Sequence, residues 1–480
     1  MKKILFVGAE AMPFAATGGL GDVMGSLPAA IKAKEKNNVD VRVVMPLYAT
    51  ISDEWRSQMK EEAVFNVTLS WRNIYCGVKS LVKDGVTYYF IDNEYYFKRG
   101  ALYGFFDDGE RYAYFCKAVL EMLIKLDFYP DVIHANDWQS ALTVVYLNTK
   151  YRYVEGLSET KSVFTIHNIE YQGKYDFSIL GDVFDMGPEY YALMRYDDCI
   201  NLMKAAIECA DKVSTVSERY AEEIKTPEYS HGLYHVLYRN AQKLTGILNG
   251  IDYNYYSPSK DTVLAKNYDR RNFVSGKAEN KIALQKAYGL PERADVPMLA
   301  IISRLATHKG LDLVKEVADS IVRDNDVQFV ILGKGEEQYE SFFGELEKRY
   351  PDKVKTLLTY NRDLSKKIYA ACDIFVMPSK SEPCGLSQMI ASRYGAVPVV
   401  RETGGLADSI KGYWVDNGEI KGNGFTFANY SSAELADRIG AAIALYADKA
   451  QNKKFVSKIM GTDFSWTVSA EKYMEMFNSL

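Results

Sequence analysis

The chain has 480 residues, enough for two or three domains that each bury a core of their own. Its 48% apolar and 25% charged residues are ordinary globular composition. A net charge of −5 excludes a basic field for nucleic acid or an anionic membrane, so an anionic ligand must meet a local cluster of cations.

The start, Met1-Lys2-Lys3-Ile4-Leu5-Phe6-Val7-Gly8, opens like a signal peptide, but its apolar run stops short of Glu10 and reads as a first strand. No apolar run approaches the ~18 residues of a membrane span. The six cysteines (Cys76, Cys116, Cys199, Cys209, Cys372 and Cys384) are scattered without a C-x-x-C pair. That spacing argues against a zinc site and fits free thiols in a reducing cytoplasm.

Spans 3–8, 41–46, 132–135, 162–166, 212–216 and 246–248 are β-rich, and helix-length amphipathic stretches such as 22–35, 110–126 and 201–209 lie between them. Such alternation predicts a parallel sheet with helices on both faces. The span 65–92, with alternating runs and an Asp84-Gly85 turn, is expected to be a hairpin insertion. After Asn249-Gly250, residues 251–280 are rich in Tyr, Ser, Asp and Asn and lack periodicity, so a connecting segment is expected there. Alternation then resumes, with strands at 298–303, 327–332, 353–358, 374–377 and 397–400. Helices are expected from Gly310 and Leu364, over 385–394, after Gly405 and over 432–446.

The expectation is an α/β protein of two Rossmann-like, doubly wound domains facing a central cleft. An N-terminal domain takes residues 1–250 and a C-terminal domain 251–462. A last helix within 463–480 is expected either to cap the second domain or to cross back and pack on the first. Ligands of such folds sit at the carboxyl ends of the strands.

One stretch occurs twice: Thr17-Gly18-Gly19-Leu20-Gly21-Asp22 and Thr403-Gly404-Gly405-Leu406-Ala407-Asp408. Each follows a strand and precedes a helix, so each offers backbone N–H groups to an anion at a helix's positive end. The dinucleotide fingerprint G-x-G-x-x-G is absent after the first strand, and Gly276-Lys277 continues with Ala278, so no P-loop exists. The strongest cation cluster is Ser303-Arg304-Leu305-Ala306-Thr307-His308-Lys309-Gly310. Arg304 and Lys309 flank a strand-to-helix turn and suit a diphosphate. A second such loop, Ser379-Lys380-Ser381-Glu382-Pro383-Cys384-Gly385-Leu386-Ser387-Gln388, carries one acid, Glu382, fit to accept hydrogen bonds from sugar hydroxyls. His134-Ala135-Asn136-Asp137-Trp138 and Thr165-Ile166-His167-Asn168 end two strands of the first half. Asp324-Asn325-Asp326 has the spacing of a metal-binding D-x-D but no partner signals, and reads as a surface turn.

Together these motifs resemble the bacterial and plant glycogen and starch synthases, retaining glucosyltransferases of the two-Rossmann B-type (GT-B) fold. The matching residues fall in order at 17–23, 134–138, 165–168 with Tyr171-Gln172-Gly173, 248–252, 303–310, 378–388, 403–408 and 463–466, and so cover the whole chain. Related transferases carry a second Glu eight residues after the first; here that position is Ile390.

The resemblance implies a nucleotide-glucose donor, ADP-glucose favoured and UDP-glucose possible, and a glycogen or maltooligosaccharide acceptor. It implies no cofactor, no metal, no nucleic acid and no membrane. Arg304 and Lys309 would hold the diphosphate, and Glu382 would contact the glucosyl hydroxyls. Cys384, Gly385, Leu386, Thr403, Gly404 and Gly405 would supply backbone N–H groups, and Tyr360 would stack the base. Asp137, His167 and Asn168 would line the glucose and acceptor side, with Asn249 nearby. Thr17, Gly18 and Gly19 would contact the donor, with Glu10 and Asp22 at the floor. One departure stands out. The family's first motif usually begins with lysine, and here that residue is Ala16. A catalytically weakened, glycan-binding or regulatory homologue therefore stays open as the alternative.

Overall fold

The computed structural model describes residues 1–480. The chain forms two compact units, Met1–Asn249 with Trp466–Leu480, and Gly250–Ser465.

The first unit is built on a nine-stranded sheet. Its order is Leu244–Gly246, Lys212–Thr215, Lys161–Ile166, Val132–Asn136, Lys2–Val7, Val39–Pro46, Val86–Asp92, Arg72–Lys83 and Lys60–Leu69. The first seven run parallel, and the last two are added by antiparallel pairing, with Arg72–Lys83 alone running opposite to the rest. Ile4, Leu5, Phe6 and Val7 are all buried, as a parallel strand covered on both faces requires.

Two expectations change here. The span 65–92 is no detached hairpin: three strands meander, and Val86–Asp92 pairs parallel with Val39–Pro46 inside the main sheet. The Asp84-Gly85 turn does join two of them, with φ of 51° and 75°, the primed geometry that matches strand twist. The last strand covers Leu244–Gly246 and not 246–248, because its partner Lys212–Thr215 ends the ladder at Thr215.

The helix Trp466–Asn478 belongs to this first unit. Tyr473 and Phe477 are fully buried, and their rings meet His134, with Phe477 also edge-on to Phe6.

The second unit carries a six-stranded parallel sheet, ordered Val354–Leu357, Gln328–Leu332, Met298–Ile302, Ile374–Met377, Val397–Arg401, Phe425–Phe427. The expected connecting segment 251–280 instead ends in a helix, Phe273–Tyr288. That helix escapes a periodicity reading because it buries polar residues: Lys277, Asn280, Lys281 and Gln285 all point inward. The helices Glu337–Arg349 and Lys449–Met460 and the Trp414–Asp416/Glu419–Lys421 hairpin were also not expected.

In the parallel part of each sheet the strand order reverses once. In the first unit the reversal lies between Lys2–Val7 and Val132–Asn136, and in the second between Met298–Ile302 and Ile374–Met377. The loops leaving those four strands carry most of the residues singled out above.

Candidate active site

In the second unit the two switch-point loops are locked together. Gly310 has φ +72°, and a Cβ there would lie 2.0 Å from the Pro378 carbonyl oxygen, so only glycine lets the loops approach. The Lys380 N–H donates to the His308 carbonyl at 2.9 Å. Across this junction Lys309 Nζ meets Glu382 Oε2 at 2.7 Å, and Ser379 Oγ donates to the same oxygen at 3.0 Å. Glu382 is buried. Arg304, on the same loop as Lys309, is exposed and pairs with no carboxylate. Its guanidinium remains open to an anion in solution.

The second glycine turn packs under this loop. The Gly405 N–H donates to the Glu382 and Pro383 carbonyls, each at 3.1 Å. A Cβ on Gly404 would lie 2.0 Å from Glu382 O, and one on Gly405 2.1 Å from Cys384 O. Gln388 Nε2 reaches Gly385 O at 2.8 Å and Ser409 Oγ at 2.9 Å, stitching the two loops. Thr403 is fully buried, Gly385 sits at φ +69°, and Leu386 caps the helix Ser387–Arg393. Tyr360 stands apart: it is 76% exposed, and its hydroxyl accepts from Arg362 Nε at 3.3 Å.

In the first unit the expected open glycine turn is partly closed from within. Glu10, almost fully buried, accepts from the Thr17 N–H at 2.7 Å, the Gly18 N–H at 3.2 Å and Thr17 Oγ1 at 2.7 Å. The Tyr103 hydroxyl also bonds Glu10 and Thr17. Two of the N–H groups expected to face an anion are thus engaged by the chain's own carboxylate. The first-turn N–H groups of Gly19 and Leu20 lack intrahelical acceptors. Asp22 lies in the first turn of the same helix, Gly19–Glu35.

Asp137 stands at the N-cap position of the helix Trp138–Tyr146 without a side-chain capping bond, at φ 59° and ψ 175°, a strained conformation that glycine alone adopts freely. Its Oδ1 accepts from the His167 N–H at 2.8 Å and weakly from the Asn168 N–H at 3.4 Å. Burial still pushes its pKa up to about 7, against those two backbone donors and helped by nearby Glu10.

Burial pulls His167 down to about 3, so its ring is neutral. Its tautomer follows from a neighbour. Asn136 Nδ2 donates to the His134 and Val7 carbonyls at 3.0 and 3.3 Å, which turns Asn136 Oδ1 toward His167 Nε2 at 2.9 Å. His167 Nε2 therefore carries the proton and Nδ1 presents a lone pair. His134, by contrast, is fully buried in its strand with Nε2 2.5 Å from Thr165 Oγ1, and packs rather than binds. Asn249 is buried, and its Oδ1 meets no donor.

Comparison with known proteins decides the family. The starch synthase catalytic domain family matches residues 3–239, and the glycosyl transferases group 1 family matches 285–457. The chain is 45% identical to the glycogen synthase of Clostridioides difficile (strain 630) over 484 residues, covering 100% of this chain and 99% of that one. It is 46% identical to the glycogen synthase of Lactobacillus acidophilus over 481 residues, again covering 100% and 99%. It belongs to the glycogen synthase family.

The catalytic domain of starch synthase IV from Arabidopsis thaliana, solved bound to ADP and acarbose, superposes with a TM-score of 0.89 at 33% identity, covering 100% and 99% of the two chains. A sucrose-phosphate synthase from Thermosynechococcus elongatus, at 16% identity and TM-score 0.61 over 100% and 99%, shares the fold alone. The fold is GT-B, and this glycogen synthase family member is a glycosyltransferase.

Three groups of the residues singled out above meet by direct contact: Lys309, Glu382, Cys384, Gly385, Gly404 and Gly405; Glu10, Thr17 and Gly18; Asp137, His167 and Asn168. Sequence reasoning missed Tyr103, which lies in an aperiodic stretch with no signal. It also assigned no role to Ser379, Asn136 and Gln388, though all three lie inside the quoted motifs.

Proposed function

We propose that this chain transfers glucose, with retention, from a nucleotide-glucose to the non-reducing end of an α-1,4-glucan, with ADP-glucose the favoured donor. The observation that carries the reading is the Lys309–Glu382 contact across the second unit's switch point, with Arg304 open on the same loop. Arg304 and Lys309 hold the diphosphate, Glu382 the glucosyl hydroxyls, and Tyr360 the base. With the Gly405 N–H engaged, Gly385 and Leu386 are the backbone donors nearest this role.

Breaking the anomeric C–O bond places extra negative charge on the nucleoside diphosphate, so both cations act more strongly in the transition state than on the bound donor. The acceptor hydroxyl oxygen forms the new C–O bond on the face the phosphate leaves. Its proton passes to the departing phosphate oxygen. Asp137, His167 and Asn168 serve the glucose and acceptor, with His167 Nδ1 a neutral acceptor for a hydroxyl. Trapping a covalent glucosyl-enzyme would overturn this route.

The free cysteines and the lack of any helix long and apolar enough to cross a membrane support a cytoplasmic site of action. Ala16 favours a second reading of the donor alone. The position is intermediate in exposure and its methyl group lies over Gly21. The test is glucose incorporation into glycogen from ADP-glucose and UDP-glucose in parallel, with wild type and Ala16→Lys. Faster transfer from ADP-glucose by wild type supports the proposal. A wild-type preference for UDP-glucose that Ala16→Lys reverses assigns the donor choice to this position.

A further inference from the structure

Lys277 lies in the second turn of the helix Phe273–Tyr288, is 6% exposed, and forms no ion pair. Its Nζ instead donates to four backbone carbonyls: Cys372 at 2.7 Å, Ala370 at 3.0 Å, Tyr394 at 3.1 Å and Tyr369 at 3.3 Å. Tyr369, Ala370 and Cys372 close the helix Arg362–Ala371, and Tyr394 closes the helix Ser387–Arg393. One ammonium thus sits at the negative ends of two helices, where a cation is favoured and the last carbonyls need donors. Burial pulls its pKa down to about 8, which leaves it charged at pH 7 with all three N–H donors. The Tyr268 hydroxyl supports the same junction, donating to Tyr394 O at 2.7 Å.

The opposite ends of those helices carry donor-site residues. Tyr360 and the capping Asn361 precede Arg362–Ala371, and Glu382 through Leu386 precede Ser387–Arg393. Helices of 10 and 7 residues are short rigid rods of roughly 15 and 10 Å, so a shift at one end reaches the other.

We infer that Lys277 is a positioning residue for donor binding: by clamping the carboxyl ends of both helices it fixes Tyr360 relative to the Glu382–Leu386 loop. This rests on the donor-site reading above. An uncharged side chain of similar length would leave several buried carbonyls unmet and let the two helices slide independently. Arginine would keep the charge and most of the donors.

The test compares Lys277→Met and Lys277→Arg with wild type in three readouts: ADP affinity by calorimetry, KM for ADP-glucose and KM for glycogen. Leu435→Ala, a buried change in the helix Ser432–Ala447, controls for lost stability. Lys277→Met should weaken ADP binding and raise the donor KM at least tenfold, leave the glycogen KM within twofold, and be largely rescued in Lys277→Arg. Leu435→Ala should leave the donor KM unchanged.

A folded Lys277→Met with donor affinity within twofold of wild type overturns the inference, as does an equal donor defect in Leu435→Ala. Should Lys277→Met not fold, Tyr268→Phe decides: a donor KM raised two- to fourfold supports the clamp, and an unchanged one overturns it. Tyr360→Ala and Arg304→Ala test the underlying site separately. If they leave ADP affinity unchanged, the donor-site reading fails; if they weaken it while Lys277→Met does not, only the clamp fails.

Discussion

Asp137 is a buried carboxyl whose charged form costs the fold stability. Its folded pKa of about 7 lies above the ordinary carboxylate value, so the native state keeps a proton that the unfolded chain releases from about pH 4 upward. The native state binds more protons across that window, and stability therefore falls as pH rises from about 4 to 7. Asp137→Asn keeps an oxygen for the His167 N–H and removes the buried charge. It should raise the unfolding free energy by ~1–2 kcal/mol above pH 7, show little difference at pH 4, and lower transfer activity sharply. Denaturant unfolding at the two pH values checks this, and equal differences at both would contradict it. The Asp137 and His167 positions were legible as polar strand ends. The neutral tautomer was not, because it depends on Asn136 being turned by two carbonyls from different strands.

At the scale of elements, the second glycine turn was legible as a motif, and the structure adds a steric duty that its spacing does not reveal. Gly404 and Gly405 let the backbone pass within contact of Glu382 and Cys384, so their first duty is steric. Gly405→Ala places a methyl group about where the Cys384 carbonyl stands. It should destabilise the second unit by ~2–4 kcal/mol and reduce kcat/KM at least a hundredfold, measured by thermal unfolding and by transfer rate. The helix Phe273–Tyr288 was not legible at all, since the lysines and amides it buries erase the apolar stripe that announces a helix. The helix Trp466–Asn478 was legible from Trp466, Tyr473, Met476 and Phe477. Phe477 is fully buried against Phe6 and His134, and Phe477→Ala should lower stability by ~3–5 kcal/mol. Calorimetry on the intact chain reads that loss, and a change below ~1 kcal/mol would mean that the helix adds little to its unit.

At the scale of the whole molecule, strand and helix alternation was enough to predict two doubly wound halves, and the loops at the reversals of strand order hold most of the residues singled out from the sequence. What escaped the sequence was where a sheet ends. The meander Lys60–Leu69, Arg72–Lys83, Val86–Asp92 widens the first sheet to nine strands because its last strand is apolar on both faces and needs a buried neighbour. Arg304, Lys309 and Glu382 lie in one unit, and Asp137 and His167 in the other.

We propose that Lys309, paired with Glu382, and the exposed Arg304 on the same loop make this chain a working glucosyltransferase. The measurement that tests it most directly is transfer of glucose from ADP-glucose to glycogen by wild type and Lys309→Ala, with glycogen binding followed in parallel. Wild type should transfer glucose measurably, Lys309→Ala should lose at least a hundredfold in kcat/KM, and glycogen binding should be unchanged. Glycogen binding with no transfer by wild type from ADP- or UDP-glucose, or full activity in Lys309→Ala, would contradict it.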